Sequence, residues 1–191
     1  MSEISYHRIG DLVQTARSAA SKTGAMDRTT PTKGHRALRQ GRVSLPNQVY
    51  LLTFCTMQRY PWFAEPAYAS KAGEVLALDG SWSGAIPLAW VLMPDHWHGL
   101  VELNGREPLG RVIARLKGLT TRAFPSDLRK RIWQRAFHDH SLRTEECILD
   151  VGRYILANPV RAGLVRRMEQ WPWRGGTLLT DIEGELPFAP P

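Results

Sequence analysis

Cysteine is almost absent from this chain: Cys55 and Cys147 are the only two among 191 residues. That is too few for the disulfide framework on which small secreted domains rely. Long hydrophobic runs are missing too. No stretch approaches the roughly 18 consecutive apolar residues of a membrane span. The opening MSEISYHRIGDLVQTARSAASKTG has no apolar core of the kind a secretory signal needs. A soluble protein of a reducing cytoplasm is the expectation. Large apolar side chains are also scarce in TGAMDRTTPTKGHRALRQG, Thr23 to Gly41, so residues 1–40 read as a basic arm that is flexible or orders on a partner.

Acidic charge is thin in two places. The chain carries a formal net charge of +7, concentrated in residues 1–44 and in 106–143, where ten basic side chains face three acidic ones. Residues 45–105 and 144–191 are net acidic. A basic surface favours polyanions through counterion release, yet many unrelated soluble proteins are basic, so charge alone leaves nucleic-acid binding undecided.

What is present is a hydrophobic fraction of 43%, ordinary for one globular domain of this length. The domain is expected over residues 41–175, with 176–191 as a tail. Val49 to Phe54 is β-branched, aromatic and short, hence a first strand. Residues 67–79 space Tyr68, Ala72, Val75 and Leu76 for one helical face. AIPLAWVLM (85–93) and HWHGLVEL (96–103) are strands joined by so short a corner that they must run antiparallel. Pro108 to Phe124 places Leu109, Val112, Ile113, Leu116, Leu119 and Phe124 on the apolar stripe of a second helix. RIWQRAFHDHSLR (131–143) reads as a fourth strand or extended segment. A last helix runs from Thr144 to about Asn158, where Pro159 ends it. The order β-α-β-β-α-β-α predicts an α+β fold, an antiparallel sheet with helices packed on it in the ferredoxin-like or RRM-like manner.

In a strand, residues i and i+2 share a face. His96 and His98 therefore point together while Trp97 points into the opposite face, and two imidazoles so spaced can converge on one divalent cation. For a bare His-x-His the commoner case is a pair of ordinary hydrogen-bonded histidines. The second pair, His138 and His140, has Asp139 between its members and basic surroundings, which suits a DNA-facing surface better than a metal site. On the last helix Tyr154 and Asn158 are four apart and share a face. A tyrosine hydroxyl can attack phosphorus, and an amide oxygen is an acceptable hard ligand for Mg²⁺ or Mn²⁺. A buried tyrosine and a capping asparagine would account for the same residues.

Taken in order, VLMPDHWHGLVEL, WQRAFHDHSLR, RYILANPVRAGLV, the leading RVSLPNQVYLLTFCTMQRYPWFA and the trailing WPWRGG resemble the REP-associated tyrosine transposases. These belong to the insertion-sequence-200-like superfamily of single-tyrosine transposases with a His-hydrophobic-His (HUH) motif. The resemblance spans about residues 41 to 175 and implies an HUH endonuclease core. It implies that Tyr154 is the nucleophile and that His96 and His98 are ligands of Mg²⁺ or Mn²⁺. Asn158 occupies the position of the third ligand, where related transposases commonly carry glutamine. The implied reaction is cleavage and rejoining of REP-type single-stranded hairpin DNA through a covalent 5′-phosphotyrosine, by a chain acting as a monomer.

On that footing the DNA contacts are expected from Arg36, Arg39 and Arg42 of the arm, and from Arg111, Arg115, Lys117, Arg122, Arg129, Lys130, Arg131, Arg135 and Arg143. His138, His140 and Arg161 complete the set. Two other classes fit parts of the pattern. A binding module of the same fold leaves the His96, His98, Tyr154 and Asn158 set without a purpose, and an HUH replication initiator or relaxase shares the chemistry in another setting.

Overall fold

A computed structural model of the chain describes residues 46–142 and 147–184. The elements are β1 (Val49–Cys55), α1 (Pro66–Ala77), β2 (Ala85–Met93), β3 (His96–Leu103), α2 (Leu109–Thr120), β4 (His138–Ser141), α3 (Ile148–Leu156), α4 (Asn158–Arg161), β5 (Arg174–Gly175) and α5 (Leu179–Gly184). The strands form one sheet in the order β4-β1-β3-β2-β5, every neighbouring pair antiparallel. The expected β-α-β-β-α-β-α order and α+β class are present, extended by α4, β5 and α5. β1 and β2 run parallel with β3 inserted between them, the split βαβ arrangement expected of a ferredoxin-like sheet.

Alternation decides which residues meet which layer. In β1, Tyr50, Leu52 and Phe54 are buried while their neighbours are only half-buried. In β3 the fully buried Trp97 stacks on Phe54, with ring centroids 4.9 Å apart. Phe54 in turn meets Trp133 edge-on at 4.8 Å. This aromatic face is covered by α1 and α2, through Leu76, Ile113 and Leu116 among others. Gly99 belongs to the same face. A Cβ there would lie 2.3 Å from the Trp97 ring and 3.0 Å from Trp90 Cβ, so the residue after the second histidine must be glycine for the indole to lie flat along its own strand.

The corner between β2 and β3 is only Pro94-Asp95, and a buried Thr56 pins it. Thr56 N–H donates to the Asp95 carbonyl at 2.9 Å and its hydroxyl donates to the same oxygen at 2.9 Å. Phe63 N–H donates to the Pro94 carbonyl at 2.9 Å. The first histidine therefore emerges from a turn fixed by backbone bonds to two other segments.

Four sequence expectations are revised. The helix expected to reach Phe124 stops at Thr120, whose hydroxyl donates back to the Leu116 carbonyl at 2.8 Å, and Pro125 lies just beyond. The fourth strand is four residues long, not thirteen. Ile132 and Trp133 are drawn into the core, where Trp133 makes an isolated antiparallel bridge to Thr56, and Lys117 Nζ takes the Gln134 and Ala136 carbonyls at 2.8 and 2.9 Å, so the bridge does not lengthen into a strand. The last main helix is described from Ile148, Thr144 lying outside the described residues, and it ends at Leu156. Pro159 does not stop it but sits in the first turn of α4, where a missing N–H does no harm. Finally, the chain beyond residue 175 is not simply a tail: α5 buries Ile182 against Gly152 of α3, where an added Cβ would be 2.8 Å from Ile182 Cδ1. Residues 1–45, and with them the expected arm, lie outside the described residues.

Candidate active site

The opposite face of β3 carries His96, His98, Leu100 and Glu102. His98 stands across from Thr53 of β1 and Val91 of β2, and His96 across from Cys55 and Met93. Each imidazole is oriented through Nδ1. His98 Nδ1 lies 3.0 Å from the Leu52 carbonyl, to which it donates, and 2.6 Å from Thr53 Oγ1. His96 Nδ1 donates to Asp95 Oδ1 at 2.7 Å, and the second Asp95 oxygen accepts from Arg59 Nε at 2.8 Å. With the hydrogen on Nδ1, each ring presents the lone pair of Nε2.

Electrostatics keep His98 ready for a cation. Burial pushes the His98 pKa down to about 4, with the neighbouring charges of His96 and Arg161 adding to the effect and the Leu52 carbonyl opposing it. His98 is therefore a neutral base near pH 7. Burial alone would raise Asp95, but the hydrogen bond and charge of His96 and the charge of Arg59 outweigh it and hold the carboxyl below its usual range.

α3 lies on this face. Buried Gly152 brings it close to β2, a Cβ there being 3.6 Å from Ala89 Cβ, and Ile155 and Leu156 are buried beside it. The next turn carries Tyr154 out of the core, 56% exposed, with its ring centroid 6.4 Å from that of His98. The predicted histidine pair and the predicted tyrosine, more than fifty residues apart in sequence, thus come together.

Asn158, one turn beyond Tyr154, is engaged with its own helix and with Arg161. Its Nδ2 donates to the Ile155 carbonyl at 2.9 Å, the acceptor that Pro159, lacking an N–H, leaves unsatisfied. Its Oδ1 accepts from Arg161 Nη2 at 2.9 Å. A divalent cation fits two imidazoles whose Nδ1 atoms are already engaged; the amide oxygen fits by type but is turned to Arg161. Among the described residues no cluster of three or more His, Cys, Asp or Glu offers an alternative set.

The expected DNA contacts divide. Arg111, Arg122, Arg129, Lys130 and Arg135 are exposed on or after α2. Arg131 lies in a 3-10 turn, Arg129–Arg131. Arg115 is a structural clamp: it pairs with Glu107 at 2.5 Å, donates to the Ser81 carbonyl at 3.3 Å and bonds the Ser83 carbonyl. Lys117 is committed to two carbonyls and lies over the Phe54 ring, 5.2 Å from its centroid. Between α2 and residues 129–137 runs an open groove of about 440 Å³, floored by Gly110, Ala114 and Gly118 and edged by Arg129, Arg135 and Phe137. It lies on the sheet face away from Tyr154. His138 and His140 are exposed on edge strand β4 opposite Thr53 and Leu51, hence on the histidine face. Arg36, Arg39, Arg42 and Arg143 lie outside the described residues. Three contributors were missed in the sequence: Thr53, Arg59 and Asp95. Only Asp95 left a signal there, as an acid next to a histidine; the others depend on strand register.

A family-wide sequence model described as "Transposase IS200 like" matches residues 44–158, more than half of the chain. The chain belongs to the IS200-like transposase family. Among curated relatives, a Haemophilus influenzae protein assigned as a REP-associated tyrosine transposase is 30% identical over 111 residues, 52% of this chain and 62% of its own length. The REP-associated tyrosine transposase of Escherichia coli is 31% identical over 86 residues, 44% of this chain and 50% of its own length. The matched part thus spans less than two thirds of either relative. A solved REP-associated tyrosine transposase bound to a REP hairpin shares the fold, with a TM-score of 0.58 at 23% identity over 78% of this chain and 90% of that one. In this IS200-like transposase the family match takes in His96, His98 and Tyr154 and ends on Asn158, so Arg161, β5 and α5 fall outside it.

Proposed function

We propose that this chain is a metal-dependent endonuclease and strand transferase that cuts and rejoins single-stranded DNA at REP-type hairpins, with Tyr154 as nucleophile. The observation that carries the reading is the exposed Tyr154 ring poised over His98, at a centroid distance of 6.4 Å. Amphipathic α3 buries Gly152, Ile155 and Leu156 yet turns Tyr154 outward, beside the sheet face on which the Nδ1-anchored rings of His96 and His98 stand together.

The phenolic oxygen of Tyr154 attacks the scissile phosphorus as the bond from phosphorus to the 3′-oxygen breaks. The strand end leaves as a 3′-hydroxyl, taking up a proton, and the 5′-phosphate remains esterified to the tyrosine. Attack of another 3′-hydroxyl on that ester reverses the step and rejoins a strand, so no external energy source is needed. A bound Mg²⁺ or Mn²⁺ would withdraw charge from the phosphate oxygens. His96 and His98 would hold it, with Asp95, Thr53 and the Leu52 carbonyl fixing the rings, and Asn158 as a third donor once its oxygen is released. Exposed Arg111, Arg122, Arg129, Lys130 and Arg135 supply the phosphate contacts, so affinity for hairpin DNA should fall steeply with salt. The hairpin substrate is suggested by the relatives' names and by the DNA bound to the solved neighbour.

The test is a denaturing gel of labelled single-stranded hairpin with Mg²⁺, with Mn²⁺ and with chelator. Wild type should give a metal-dependent covalent adduct, and Tyr154→Phe should bind the hairpin yet give none. Cleavage retained in Tyr154→Phe overturns the assignment, and an adduct formed equally in chelator removes the metal from it. A binding module without catalysis would give no adduct under any condition.

A further inference from the structure

Arg161 stands at a junction that a plain phosphate contact would not require. Its guanidinium carbon lies 3.8 Å from the centroid of the Tyr154 ring. Nη1 donates to the Tyr154 carbonyl at 2.8 Å and Nη2 donates to Asn158 Oδ1 at 2.9 Å. One planar fork thus covers the nucleophile's ring and occupies the oxygen that Asn158 would need to reach a cation, while the amide nitrogen is engaged with Ile155. Arg161 is exposed, and it is near enough to His98 for its charge to act there. A guanidinium favours a phosphate, which offers charge and two acceptors in matching geometry, over a neutral amide oxygen.

We propose that Arg161 is a positioning residue that works as a latch: without DNA it holds the Tyr154 ring and withholds Asn158 Oδ1 from the His96–His98 pair, and an incoming phosphate draws the guanidinium away so that the amide oxygen can turn to the cation. The third donor then becomes available when substrate arrives. This rests on the metal-dependent reading above and adds a step to it: the protein holds a cation loosely when idle and firmly when loaded.

The experiment is calorimetric titration of Mn²⁺ into DNA-free protein, for wild type, Arg161→Ala, Asn158→Ala, the double variant, Arg161→Lys and His98→Ala. Arg161→Ala should bind Mn²⁺ roughly 3- to 10-fold more tightly than the same protein lacking the Asn158 side chain, on the scale of the net contribution of one hydrogen bond. In the wild-type background Asn158→Ala should leave the affinity unchanged. Removing a positive charge favours Mn²⁺ by itself, but that part persists in the double variant. Arg161→Lys keeps the charge without the flat fork and should show the Asn158-dependent part alone. A gain of equal size with and without the Asn158 side chain, or no gain, overturns the latch while the metal reading stands. If His98→Ala binds Mn²⁺ as wild type does, the metal reading falls and the latch falls with it.

Discussion

Asp95 accepts from His96 with one oxygen and from Arg59 with the other, so it fixes the tautomer of a proposed ligand without touching the cation itself. Partners of this kind typically change metal affinity or activity by roughly 10- to 100-fold when removed. Asp95→Ala should therefore weaken Mn²⁺ binding by that order while the fold survives; calorimetry alongside a circular dichroism melt checks both, and an unaltered affinity refutes the role. His98 makes a second prediction, on pH. Its folded pKa lies at about 4, below the roughly 6.5 of an unfolded histidine, so between these values the unfolded chain binds the proton and the folded one does not. Stability is fully present above about pH 6.5 and is lost as pH falls towards about 4, by about 3 kcal/mol in all for a shift of this size. In metal-free protein His98→Gln should flatten the fall in urea midpoint between about pH 7 and about pH 4.5; a fall as steep as in wild type would place the titration elsewhere. The paired imidazoles were legible in the sequence because strand periodicity fixes a shared face, and Tyr154 was legible through the resemblance of RYILANPVRAGLV to the tyrosine transposases. The rotation of Asn158 away from them was not, because it depends on which carbonyl Pro159 leaves open.

Among the elements, the segment from α2 to β4 separates charge that holds the fold from charge that is free for DNA. Lys117 and Arg135 look equivalent in the sequence, both basic and close in the chain. The structure commits Lys117 to the Gln134 and Ala136 carbonyls and leaves Arg135 exposed on the rim of the groove. Lys117→Ala should cost about 1–3 kcal/mol, since it strands two carbonyl acceptors, whereas Arg135→Ala should leave the urea midpoint within about 0.5 kcal/mol of wild type. Hairpin affinity should show the reverse for Arg135, falling and losing part of its salt dependence. Equal stability losses in the two variants would erase the distinction. Sequence pattern overestimated β4 here because aromatic, alternating character also describes a chain that dips Ile132 and Trp133 into a core and leaves again.

For the whole molecule, the five-stranded sheet divides two surfaces: an aromatic layer under α1 and α2, and the histidine layer under α3. Its strand content could be read from the sequence, since hydrophobic period and short connections leave few topologies. The closing role of α5 could not, because a six-residue helix with a single buried Ile182 carries almost no periodic signal. That contact seats α3 on the sheet, so Ile182→Ala should destabilise the protein by about 2–5 kcal/mol, and a shift in urea midpoint near zero would mean α5 is dispensable. The alternation of β3 reaches further. Slipping the strand by a single residue would exchange its two faces, carrying Trp97 to the side of Tyr154 and both imidazoles into the aromatic layer. A chain that has not finished folding correctly thus lacks the proposed site: the same register that completes the core also assembles the histidine pair beside Tyr154, a safety catch written into the pleat.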